Sequence, residues 1–79
     1  MPFLNLHILN SEFSSEDDGK DYLSLEDAEG VAIQAATELA RDLLRRGHNP
    51  AVLEVTLKEA GKIVAKHAVS LTRSPLRID

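Results

Sequence analysis

The chain has 79 residues, no cysteine and a formal net charge of −4. That length makes one small domain, and without cysteine neither a disulfide nor a thiolate zinc site can staple it. Its apolar stretches fall far short of the roughly 18 residues a membrane span needs, and no basic-then-apolar leader opens it, so a cytoplasmic, non-membrane protein is expected.

Taken from the N-terminus, residues 3–9 alternate as a strand does, with Leu4, Leu6 and Ile8 on one face and Phe3, Asn5, His7 and Leu9 on the other. Residues 10–20 are turn formers (Ser14, Ser15, Glu16, Asp17, Asp18, Gly19) and read as a mobile polar connection. A short second strand is predicted over residues 21–23.

The run from Ser24 to Arg46 starts and stops like an amphipathic helix. Ser24 and Asp27 have capping-box spacing, Leu23 is placed to staple onto Ala28, and Gly47 follows Arg45 and Arg46. Leu25, Ala28, Ala32, Ala35, Leu39 and Leu43 share a face that Ala36, Ala40 and Leu44 widen, while Glu29, Glu38, Arg41, Asp42 and Arg45 fall largely away from it. So many alanines bring a helix axis close to what it covers, and a sheet suits that better than a bulky helix. Gly30 costs about 1 kcal/mol against alanine in a helix interior, which close approach to a strand would explain.

Gly47, His48, Asn49 and Pro50 then turn the chain, since proline cannot continue the helix. Residues 51–58 alternate with Leu53, Val55 and Leu57 inward and Glu54, Thr56 and Lys58 outward. Glu59, Ala60 and Gly61 make a tight connection to residues 62–70, whose inward set reads Ile63, Ala65, His67 and Val69. The expected fold is α+β in β-β-α-β-β order, one long helix on a small, mainly antiparallel sheet. Residues 1–70 form the domain, and residues 71–79 a tail available for interaction.

The opening Met1-Pro2-Phe3-Leu4-Asn5-Leu6-His7-Ile8 is followed by Asp17-Asp18-Gly19, Leu23, the helix start Leu25-Glu26-Asp27-Ala28, an alanine-rich helix to Gly47 and a hairpin with Gly61. In that order these features resemble a family of short, functionally uncharacterised bacterial proteins found chiefly in rhizobia and their relatives. The resemblance spans roughly residues 1–70. It departs at Phe3, Leu4 and Asn5, where the family has a basic residue and then aromatics. It departs again at Ala60, where the family tends to aspartate, and at His67-Ala68-Val69, where it ends in an aliphatic-proline-aromatic motif. The resemblance implies this architecture and carries no established activity.

Candidate chemistry is sparse. His7 and His67 fall on opposite faces and His48 lies beyond the helix, so no metal site converges. The acidic run Glu16, Asp17, Asp18 and Asp21 lacks the alternate spacing and distal glutamate of a calcium loop. With isolated glycines and no nucleophile elbow, no catalytic, cofactor or metal residue is assigned, and the protein is not expected to be an enzyme.

Two interaction readings remain. Residues 1–50 carry ten acidic and four basic groups and residues 51–79 three and five, so the halves hold −6 and +2. That asymmetry suits self-association. A homodimer is expected, through Phe3, Asn5, His7 and Leu9 on the strand face opposite the helix, with Leu76 and Ile78 from the tail. Another protein is a further candidate partner. The alternative is a nucleic-acid-binding module in which Lys58, Lys62 and Lys66 line one edge with Arg73 and Arg77 beyond. The acidic balance and the lack of aromatics on the hairpin weigh against it.

Overall fold

The computed structural model describes residues 1–75. Strand β1, Phe3–Leu9, falls where the alternation places it. The connection after it contains two short strands: Ser14–Glu16 forms β2 and Lys20–Asp21 forms β3, both antiparallel to β1. The second strand therefore begins earlier than residues 21–23 and comes in two pieces.

Between those pieces the register against β1 advances by one residue, from His7 opposite Glu16 to Leu4 opposite Lys20, which makes residues 17–19 a bulge. Asp17 carries the ladder across it. Its amide donates to the Leu6 carbonyl at 3.0 Å, and its carboxylate accepts from the amides of Leu6 at 2.9 Å and Gly19 at 3.1 Å. Gly19 has φ +100°, and a Cβ there would stand 2.6 Å from Cζ of Phe3, so the Phe3 ring rests where a side chain would be. The turn chemistry legible at Asp17-Asp18-Gly19 thus serves an edge strand.

Helix α1, Leu25–Arg45, keeps one half of the expected capping box: extended Ser24 accepts from the Asp27 amide at 3.0 Å, and among the described residues the Asp27 carboxylate makes no return bond to the Ser24 amide. At the other end Gly47 takes φ +97°, with His48 donating to the Leu43 carbonyl and Gly47 to that of Leu44, a Schellman ending. The staple is not made. Leu23 stays exposed, and the neighbouring Tyr22 turns into the core instead.

The buried stripe is Ala28, Ala32, Ala36, Ala40 and Leu43, with Leu39 and Leu44 only partly covered. Leu25 is exposed because the first turn precedes Ala28, where the helix meets the sheet. Gly30 faces outward, and a Cβ added there would meet nothing within 4 Å, so no close approach to a strand accounts for it.

Strands β4, Ala51–Glu59, and β5, Lys62–Leu71, form a hairpin whose two-residue turn, Ala60 and Gly61, has positive φ at both positions, as a type I′ turn requires. The order β2-β1-β4-β5 puts β4 in the middle. Leu53, Val55 and Leu57 point to the helix and, with Leu4, supply the largest fully enclosed side chains. The bulky core residues come from the sheet and the small ones from the helix.

One strand assignment is corrected. Leu57 pairs with Ala65 but Lys58 with Ile63, leaving Val64 as an extra residue. That bulge turns Ile63 away from the inward set of Ala65, His67 and Val69, and it is 59% exposed. Beyond Leu71 the chain is tied back: Asn49 accepts from the Thr72 hydroxyl at 3.0 Å and the Arg73 amide at 3.2 Å, and donates to the Arg73 carbonyl at 2.6 Å.

Candidate interaction surface

Because α1 covers one side of the sheet, the other side is built only of side chains from the strands. The registers set its rows: Leu9, Glu54 and Ala68; His7, Thr56 and Lys66; Asn5, Lys58 and Ile63; with Val52 and Ser70 at one end. Thr56 lies on this outward face, as predicted, yet is only 4% exposed, since His7 and Lys66 flank it from both neighbouring strands.

The expected self-association residues are gathered on this face but are partly engaged by their own chain. Phe3 rests on Gly19 and stays 52% exposed. Asn5 donates to the Asp17 carbonyl at 3.2 Å, and His7 Nε2 lies 2.6 Å from the Ser14 hydroxyl. Leu9 is half-buried and lines an open pocket of about 370 Å³ with Asn10, Ser11, Val52 and Glu54. Leu76 and Ile78 lie outside the described residues, as does Arg77.

The basic residues are distributed differently from a single edge. Lys58 and Lys66 share the open face, where Lys58 meets Glu16 at 3.4 Å and Lys66 meets Glu54 at 2.8 Å. Lys62 stands beside the turn opposite Glu59, and exposed Arg73 follows β5. Each hairpin lysine therefore has a carboxylate-bearing residue next to it, which halves of opposite net charge do not reveal.

On the helix side, His67 Nε2 lies 2.6 Å from a carboxylate oxygen of Glu29, both side chains being about one-third exposed. Glu29 does not face away from the sheet as the helical pattern suggests. It flanks the alanine stripe and ties α1 to β5. His7 and His67 do occupy opposite faces, and His48 Nδ1 reaches to within 4.0 Å of Glu12. Among the described residues no group of three or more histidine, aspartate and glutamate side chains is placed to hold a metal ion.

Tyr22 is the titrating group with a clear environment. Burial, then the charges of Asp17 and Asp27, push its phenol above the ordinary value. The folded state thus holds this proton where the unfolded chain releases it. The contribution of Tyr22 to stability is full below about pH 10 and is lost as pH rises through the folded value. Tyr22→Phe should flatten that alkaline decline in denaturant titrations. An unchanged slope would show that the Tyr22 proton does not control it.

No helix among the described residues is long and apolar enough to cross a membrane. A family model described as a domain of unknown function, DUF6894, matches residues 3–70, and the chain belongs to that family. No curated protein matches the chain, and no solved structure does.

Proposed function

We propose that this DUF6894 domain is a non-catalytic interaction module that binds a second copy of itself through the sheet face α1 leaves bare. The observation that carries the reading is the make-up of that face. Phe3, Val52 and Ile63 are each at least half exposed and sit at its ends, and ion pairs of both signs lie between them. Glu54 beside Lys66, and Glu16 beside Lys58, give a neutral surface that can complement itself after a two-fold rotation.

The same pairs disfavour the nucleic-acid reading, because lysines already held by carboxylates release few counterions from a phosphate backbone. His7 and Ser14, though in contact, sit on a flat exposed strand pair, which suits a structural hydrogen bond better than an activated nucleophile.

Sedimentation velocity across the micromolar range tests the proposal. The wild type should associate, and Val52→Glu, which adds charge without touching the core, should weaken association by roughly tenfold or more. A wild type monomeric throughout rejects the reading. Duplex binding that falls steeply with salt and is lost on neutralising Lys58, Lys62 and Lys66 would favour the alternative.

A further inference from the structure

The two edges of the sheet are treated differently. The β1 edge is covered by β2 and β3, with Asp17 filling the break between them. The outer edge of β5 has no neighbour among the described residues. Exposed edges are commonly protected by lysines and bulges, and β5 has both, but only in its first half: Lys62, the bulge at Val64, and Lys66. The remainder, His67 to Leu71, carries no acidic or lysine side chain and no proline. It is an unguarded row of backbone donors and acceptors.

From this edge we infer that β5 pairs antiparallel with β5 of a second copy, about a two-fold axis perpendicular to the sheet. This goes beyond open-face association and uses a different surface. The occupant is a second copy because the strand complements itself. Facing residues in a ladder must share a face, and centring the axis on Ala68 keeps the pairing within residues 65–71, clear of the bulge. The smallest side chain then lies at the axis. Ala65 faces Leu71 of the copy, His67 faces Val69, and Lys66 faces Ser70, so no like charges oppose one another. Centring on Lys66 would set lysine against lysine.

The helix fits the same arrangement. It packs over β4 and β5 rather than β1. With strands about 4.8 Å apart, an axis lying between β4 and β5 is about 5 Å from the two-fold, so the two copies of α1 would run about 10 Å apart, close to the distance at which helices pack. The flank that would meet is the one toward β5, identified by the contact of Glu29 with His67. Along that flank, beyond Glu29, come Ile33, Thr37 and Leu44, with Ile33 exposed and with exposed Glu26 and Arg41, of opposite charge, beside them. Both open faces would then lie on one side of a continuous sheet.

Concentration-dependent amide hydrogen exchange, with paired variants at Ser70, tests the inference. Alternate amides within residues 65–71 should exchange as free edge groups when dilute and gain roughly tenfold or greater protection when associated. Ser70→Lys, which sets a lysine opposite Lys66 of the copy, should weaken association. Ser70→Glu should strengthen it, and both variants alter an exposed residue that leaves the monomer's core intact. Association with β5 amides still exchanging freely, or Ser70 variants without opposite effects, overturns edge pairing and leaves open-face binding standing. A chain monomeric at every concentration overturns both.

Discussion

Replacing Leu53 by alanine is expected to cost about 2–5 kcal/mol, the range for emptying an enclosed leucine site. Leu53 lies in β4 beneath α1, opposite Val69 of β5, and has no exposed surface. The backbone there is held by β5, and from Glu54 onward by β1 as well, so neighbouring groups have little freedom to collapse into the space. A domain of this length is expected to have only about 4–12 kcal/mol of stability in total. The substitution should therefore lower Tm by about 10 °C or more, and denaturant titration would give the loss directly. A loss below about 1 kcal/mol would mean that Leu53 does not hold the core together. The same truncation at Leu39 should cost less, because Leu39 is only partly buried despite its place in the helical pattern.

That contrast shows what a one-dimensional pattern contains. Periodicity identifies α1, its cap at Ser24, its stop at Gly47 and the inward set Leu53, Val55 and Leu57, since each depends on neighbours a few residues away. It misplaces Ile63 because an extra residue in one strand inverts the faces beyond it, and nothing in Lys62-Ile63-Val64-Ala65 marks a bulge. Residues 14–16 escape it for a related reason. Ser14, Ser15 and Glu16 have little strand propensity, and they pair because the turn at Asn10, whose side-chain oxygen accepts from the Glu12 and Phe13 amides, returns the chain along β1. Across the open face, alternation groups Phe3, Asn5, His7 and Leu9 correctly. Their engagement with Gly19, Asp17 and Ser14, and the joining of Glu29 to His67, depend on contacts between distant segments that local spacing does not encode.

Ala36→Leu should be destabilising by about 1–3 kcal/mol, as overpacking of a filled site is. Ala28, Ala32, Ala36 and Ala40 recur every fourth residue and are almost wholly enclosed, so a line of single methyl groups runs where α1 meets the sheet. The sheet's Leu4, Leu53, Val55 and Leu57 fill the space that this line leaves. A larger side chain at Ala36 would lift the helix, and lifting it strains the 2.6 Å contact between Glu29 and His67 two turns earlier. Gly30→Ala on the same helix should have the opposite sign. It adds one methyl group where nothing lies within 4 Å and should gain up to about 1 kcal/mol from helix propensity. Opposite shifts in denaturation midpoint from these two substitutions would establish that the alanine stripe sets the helix-to-sheet distance. A neutral Ala36→Leu would mean the interface has room that this packing denies.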